Sequence, residues 1–369
     1  MEREMKRIRS AVVAAMVGSL VLTGECARLG GKEADKSVAS PGSQEQVSHA
    51  NPSDYTYSTN PAGQATITGF SRAYSGALII TNVLGGCPVA GIATRAFDGC
   101  LLNSVKVPGC VTSIARAAFS RCPRLAAINV DEDNANYSSV DGVLYNKSQT
   151  TLIDCPTGRG GAISLPFSVS DIDASAFYGC SRLTGINVDV ANESYGSVDG
   201  VLFDKNQTTL VEFPSGKSGA VFIPSSVNMI EGTAFSGILG CPELTAINVD
   251  ESNVNYSSVD GVLFDNKQTT LIKYPAQKAG GYTVPSGVTS IEDTAFWGCS
   301  RLTEVILGSN VTKIGYIAFG ACTTLTAITV LSEVTKVGNY AFSSCPRLTS
   351  VFFWWKRPPL DGFIGFERD

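Results

Sequence analysis

The stretch Ile314-Gly-Tyr-Ile-Ala318-Phe319-Gly-Ala-Cys322-Thr-Thr-Leu325-Thr-Ala-Ile328-Thr-Val330 decides the reading of this chain, because the same frame returns six more times. Ala96-Phe97 is followed by Cys100, Ala118-Phe119 by Cys122 and Ala176-Phe177 by Cys180. Ala234-Phe235 is followed by Cys241, Ala295-Phe296 by Cys299 and Ala341-Phe342 by Cys345. Self-similarity at a short period is the signature of stacked repeats, each too small to bury its own apolar face.

The spacing is uneven. The leading aliphatic residues are Ile92, Ile114, Ile172, Ile230, Ile291, Ile314 and Val337, so the steps are 22, 58, 58, 61, 23 and 23 residues. The 61-residue step is explained by the longer run Ser236-Gly-Ile-Leu-Gly-Cys241, and the 22-residue step has lost a residue between Cys100 and Leu102. Each long step carries a second element: Tyr137-Ser-Ser-Val-Asp-Gly-Val-Leu-Tyr145, Tyr195-Gly-Ser-Val-Asp-Gly-Val-Leu-Phe203 and Tyr256-Ser-Ser-Val-Asp-Gly-Val-Leu-Phe264. A polar turn and Thr-Thr-Leu follow each one, which reads as a hairpin that widens the coil or projects from it.

Each short unit ends in Leu-x-x-Ile-x-Val or a close aliphatic variant, the pattern of a short strand with alternate residues facing a core. The frame Ile-x-x-x-Ala-Phe-x-x-Cys-x-x-Leu-x-x-Ile-x-Val resembles the BspA-like leucine-rich-repeat family, and the Tyr-Ser-Ser-Val-Asp-Gly-Val-Leu-Phe insert is also typical of it. The resemblance runs from Ala65 to Trp355. It implies a leucine-rich-repeat solenoid, α/β or mainly β, a curved right-handed coil with short concave strands and hairpin inserts in the central repeats. It also implies an exported bacterial surface protein that adheres to host or bacterial partners.

Upstream of the repeats, Lys6, Arg7 and Arg9 precede an apolar run from Ala11 to Leu22, the form of an export signal and too short to span a bilayer comfortably. The run ends in Leu22-Thr-Gly-Glu25-Cys26, where Glu25 stands in the place a bacterial lipoprotein box gives to a small residue. Lipidation of Cys26 and simple cleavage nearby both fit. Residues 1–26 are thus read as an export signal and 27–64 as a flexible polar tether. Residues 65–91 form an N-terminal cap, 92–355 the solenoid, and 356–369 a C-terminal cap or tail.

Composition excludes more than it identifies. The chain has 369 residues, of which 44% are hydrophobic and 17% charged, with a net charge of −5, which suits a packed body rather than a disordered one. Its Lys and Arg residues are scattered, unlike a nucleic-acid-binding face. The single histidine, His49, lies in the tether, so no His-dependent triad or general base belongs to the body. No paired-acid or nucleophile motif appears either, so the expectation is a protein without catalytic residues, cofactor or metal.

Seven of the eleven cysteines share one slot of the frame: Cys100, Cys122, Cys180, Cys241, Cys299, Cys322 and Cys345. With Phe97, Phe119, Phe177, Phe235, Phe296, Phe319 and Phe342 they read as structural ladders. A slot filled once per coil is a stacking position, so free buried thiols are expected rather than disulfides. The acidic clusters Asp131-Glu-Asp133, Asp189 with Glu193, and Asp250-Glu251 read as turn chemistry, with calcium as the weaker alternative. Glycines at insert turns such as Asp141-Gly142 answer to positive φ, and Asn136-Tyr-Ser138 and Asn310-Val-Thr312 would be glycosylated only in a eukaryotic secretory route.

One stretch departs from the frame. Val351-Phe-Phe-Trp-Trp355 places Phe352 and Trp354 on the outward face if Val351 and Phe353 point inward, where other copies have Ala127 and Asn129, or Ala246 and Asn248. Exposed aromatics mark contact sites, so Phe352, Trp354 and Trp355 are the candidate partner contact, unless residues 358–366 fold back over them. The expected function is interaction with a protein or extracellular-matrix partner at the cell surface or in the periplasm. The alternatives are a self-associating envelope scaffold and a module that binds carbohydrate or a small hydrophobic ligand. The membrane enters only through a lipid anchor at Cys26.

Overall fold

The computed structural model describes residues 50–235, 240–330 and 334–353. The export signal, Cys26, His49 and the segment from Trp354 onward lie outside them. Two rows of strands recur along the stack, each divided into several sheets. A short-strand ladder carries the leading aliphatics, as in the parallel pairs Ile291↔Ile314 and Ile314↔Val337. A long-strand ladder carries Leu-x-x-Ile-x-Val, as in the parallel set Leu302–Leu307, Ala327–Val330 and Ser350–Phe353. Val105, Ile128, Ile186, Ile247, Val305 and Ile328 from these strands are all buried.

The solenoid is mainly β, which settles the α/β alternative. Among the described residues the one helical element is the 3-10 turn Pro52–Asp54. In five of the seven copies the residue before Ala-Phe is left-handed, which interrupts any helical turn in the connection between the two ladders: Arg95 (φ 58°), Ala117 (57°), Thr294 (57°), Ile317 (52°) and Tyr340 (57°). This backbone is costly for a β-branched side chain such as Ile317. Stacking holds it there, since the Ile317 N–H donates to the Asn339 carbonyl of the next coil at 3.1 Å.

The inserts do not project. Each hairpin lies inside the stack as a wall between two blocks of core, because its second strand is buried on both faces. Leu144 packs against the block before it, whereas Val143 and Tyr145 pack against the block after. Leu202 against Val201 and Phe203, and Leu263 against Val262 and Phe264, repeat the arrangement. The Asp-Gly turns seat on the long-strand ladder: Ile128, Ile186 and Ile247 donate their N–H to the carbonyls of Gly142, Gly200 and Gly261 at 2.8, 2.9 and 2.8 Å. A Cβ on Gly142 or Gly261 would come within 2.6 or 2.7 Å of the Cβ of Ala127 or Ala246. The ladder is therefore interrupted at each hairpin.

Each long step also holds a further coil that lacks the Ala-Phe-Cys frame. Leu152, Leu210 and Leu271 pair in parallel with Ile172, Ile230 and Ile291. Ile163, Val221 and Tyr282 pair with Ile186, Ile247 and Val305 on the other ladder. Cys155, Phe213 and Tyr274 stand in the Phe slot, and their N–H groups donate to Ala176, Ala234 and Ala295 at 2.8, 2.9 and 2.8 Å.

At the amino end the folded body begins before residue 65. Tyr55–Thr59 pairs antiparallel with Ala65–Phe70, so the last part of the stretch read as tether is an edge strand. Tyr55 is buried and its ring meets Phe70 at 4.9 Å, which supplies the apolar contact that this polar segment otherwise lacks.

Candidate functional site

The phenylalanine slot forms a stacked column. Phe97–Phe119, Phe296–Phe319 and Phe319–Phe342 have ring centroids 5.2, 4.6 and 5.5 Å apart at interplanar angles of 17°, 14° and 14°. Phe177 and Phe235 are buried as well, the latter 5.9 Å from Phe213. The cysteines do more than fill space. Cys122 Sγ donates to Phe97 O at 2.9 Å, Cys322 Sγ to Phe296 O at 3.2 Å and Cys345 Sγ to Phe319 O at 3.0 Å, so each thiol bonds to the Phe-slot carbonyl one coil back. Cys180 and Cys299 repeat the bond to Cys155 O and Tyr274 O at 3.2 and 3.6 Å.

The seven column cysteines form no disulfide. Burial pushes the Cys100 thiol up to about 11 and those of Cys122, Cys241 and Cys299 up to about 12, so they stay protonated and weakly nucleophilic. Cys345 is half-buried, the one departure from an otherwise closed column.

The acidic clusters cap turns. Asp131, Asp189 and Asp250 each accept the N–H two residues on, from Asp133, Ala191 and Ser252 at 3.2, 2.9 and 2.8 Å. Lys106 Nζ lies 3.0 Å from Asp131 and holds that carboxyl below its ordinary range. Three residues beyond each Asp sits a buried asparagine: Asn134, Asn192 and Asn253. Asn192 Nδ2 donates to Pro166 O and Val169 O at 3.0 and 2.8 Å, and its Oδ1 accepts from the N–H groups of Ser194 and Tyr195 at 2.8 and 2.7 Å. The other two asparagines make the same four bonds, stapling each hairpin to the preceding coil.

On the long-strand face the outward row pairs Phe222 with Asn248, and Ile306, Thr329 and Phe352 in succession. Phe222 and Phe352 are each 56% exposed, so Phe352 stands outward, while Val351 packs against the core. Trp354 and Trp355 lie outside the described residues.

The second hairpin leaves a gap that the sequence did not announce. Between the coil of Ile172 to Tyr178 and the coil of Thr209 to Thr233 lies a cavity of about 380 Å³, roofed by Tyr195 and Asp204 of the hairpin. Four carboxylates line it: Asp173, Asp204, Glu212 and Glu231. Glu212 is only 7% exposed, and burial raises its carboxyl well above the ordinary range. Among the described residues, no group of three or more His, Cys, Asp and Glu side chains has a metal-holding arrangement.

A family model described as the BspA-type leucine-rich-repeat region matches in six copies, over residues 71–158, 161–279 and 274–356. The chain belongs to this family. Leucine-rich repeats of this kind present surfaces for interaction with other proteins, and the family is one of bacterial surface proteins. No curated protein sequence matches the chain. Among solved structures, a leucine-rich cell-surface protein of Faecalibacterium prausnitzii is 21% identical, with 82% of this chain and 94% of that one covered, at a TM-score of 0.40. A leucine-rich-repeat protein of Eubacterium ventriosum is 21% identical over 84% of each chain, at a TM-score of 0.36. The pneumococcal vaccine antigen PcpA is 19% identical over 81% of this chain and 79% of that one, also at 0.36. Likenesses this loose carry nothing about binding from those proteins to this one.

The BspA-type frame accounts for the Phe and Cys columns, which the repeat made visible. It does not account for the cavity. Glu212 stands in a coil without the frame, so the only sequence signal for it is its place two residues after Thr-Thr-Leu210, where Asp154 and Lys273 stand in the sister coils.

Proposed function

We propose that this is an exported, non-catalytic protein that docks protein partners on its long-strand face and C-terminal edge, and so adheres to host, matrix or bacterial surfaces. Phe352 carries the reading. It is an aromatic ring 56% exposed on a regular strand, at the position where the neighbouring strand Ala327 to Val330 has Thr329. Phe222 repeats it on the same outward row. The basic and apolar segment from Lys6 to Leu22 supports export, and Cys26 supports a lipid anchor.

The test is a binding screen of the exported chain against immobilised matrix proteins and intact partner cells, repeated with Phe352→Ala/Trp354→Ala. The double variant keeps the wild-type melting curve and loses at least about tenfold in affinity, the effect of a single truncated hot spot. Undiminished binding removes the site. Cleavage by added protease on intact cells accompanies surface display; protection until the outer membrane is opened excludes adhesion.

A further inference from the structure

The three hairpins create three equivalent breaks in the stack, and at two of them a cation of the chain itself makes a polar contact. At the first, Arg116 reaches across to Asp173 of the coil beyond, with Nε 3.1 Å and Nη2 3.2 Å from its two carboxylate oxygens. At the third, the buried slot two residues after Leu271 is Lys273, 4% exposed, whose Nζ donates to Thr294 O at 3.1 Å. The second break has neither. Ala174 stands where the first has Arg116, Glu231 where it has Asp173, and Glu212 where the third has Lys273 and the first has Asp154. The cavity lies at this second break.

Two of its four carboxylates are already compensated. Asp173 serves Arg116 and accepts from Ser175 N and Oγ at 2.9 and 2.8 Å. Asp204 accepts from Thr208 N, Thr208 Oγ1 and Thr209 N at 2.6, 2.5 and 2.8 Å. Glu212 and Glu231 have no hydrogen-bond or ion-pair partner for their side chains among the described residues, and of the two Glu212 is buried while Glu231 is exposed at the mouth. A carboxyl over nine-tenths buried and unpartnered is rare in folded proteins because its desolvation is uncompensated. Here it faces a cavity within the range of about 300–1,000 Å³ that suits small-ligand sites. Phe177, Tyr178, Tyr195 and Met229 supply apolar and aromatic walls, the surroundings that favour an organic cation over a hydrated metal ion.

We propose that the cavity between the 172–178 and 209–233 coils binds an organic cation, a guanidinium or alkylammonium group, seated on Glu212 and Glu231 in the place that Arg116 fills at the first hairpin. The cation belongs either to a free small amine or to an Arg or Lys side chain of a partner protein. The inference goes beyond the docking role of Phe352, and either can fail without the other.

Calorimetric titration of the full chain at low salt separates the outcomes. The probes are agmatine, an end-blocked Gly-Gly-Arg-Gly-Gly peptide, the same peptide with citrulline for arginine, and calcium chloride. Agmatine or the arginine peptide binds, and whichever is tighter identifies a free amine or a protein side chain as the source. The citrulline peptide binds at least about tenfold more weakly, as does either cation on Glu212→Gln, the scale of a lost hydrogen bond to a charged group. Ala174→Arg, at an exposed position, supplies the missing arginine in place and abolishes binding. The proposal is overturned if neither cation binds at millimolar concentration, if citrulline binds equally, if calcium competes, or if Ala174→Arg leaves binding intact.

Discussion

Replacing Asn192 by alanine removes four hydrogen bonds at the joint between a hairpin and the coil before it. Two are donated to the carbonyls of Pro166 and Val169, and two are accepted from the backbone of Ser194 and Tyr195. At about 1 kcal/mol net for each bond, and more for buried groups left without a partner, the loss comes to roughly 3–4 kcal/mol. Asn192→Asp keeps the acceptor and loses both donors, so it should fall near half that value or below, with added repulsion toward the two carbonyls. Because a repeat array is stabilised by neighbour contacts, the loss should be local. Hydrogen exchange followed by mass spectrometry should show faster exchange across residues 183–212, with residues 302–330 unchanged, and urea unfolding should shift for the block concerned. A loss below about 1 kcal/mol, or exchange raised evenly along the chain, would refute the view that the asparagine staples each insert to the stack.

The remaining predictions concern other joints of the same stack. Burial raises the folded Glu212 carboxyl above its unfolded value, so its contribution to stability is greatest below about pH 4.3 and falls as pH rises, at up to about 1.4 kcal/mol per unit until the folded group ionises. Urea midpoints of Glu212→Gln and wild type should therefore diverge between pH 4.5 and neutrality, with the variant more stable; parallel curves would contradict a buried, unpartnered carboxyl. Tyr145 is fully buried and its hydroxyl has no partner, whereas Phe203 and Phe264 fill the same slot in the later hairpins, so Tyr145→Phe should be neutral or stabilise by about 1 kcal/mol in thermal melts. Gly261→Val should destabilise by at least about 2 kcal/mol in the same assay, since φ is +73° and a Cβ would meet Ala246 at 2.7 Å. The thiols of Cys122, Cys299 and Cys322 should resist iodoacetamide in the folded protein and react fully in guanidinium, as mass spectrometry of tryptic peptides would record.

Much of the architecture was legible because a repeat repeats its errors as well as its signals. Seven occurrences of Ala-Phe and Cys identify a buried column, and three occurrences of Tyr-x-Ser-Val-Asp-Gly-Val-Leu identify hairpins, whatever any single copy would show. The coils at Leu152, Leu210 and Leu271 were not legible, since Cys155, Phe213 and Tyr274 share no residue type and the Cys slot is absent. Their period survives only in paired Leu and Ile positions, which sequence alone assigns equally well to the hairpin. The outward position of Phe352 followed from strand alternation, a local property.

Amino-acid order by itself determined that this chain stacks, which side chains enter the columns, and where the tight turns fall, because these depend on residue type and on spacing within one coil. Tertiary structure alone decided that the inserts lie within the stack and not outside it, since that depends on Asp-Gly turns meeting small residues on strands some fifteen positions away, at Ala127, Gly185 and Ala246. It also decided that Glu212 faces a cavity while Arg116 pairs with Asp173 at the first break and Lys273 bonds to the Thr294 carbonyl at the third. The sequence records an arginine, a glutamate and a lysine; only the stacking of coils brings each to its break and leaves the buried Glu212 carboxyl facing the cavity.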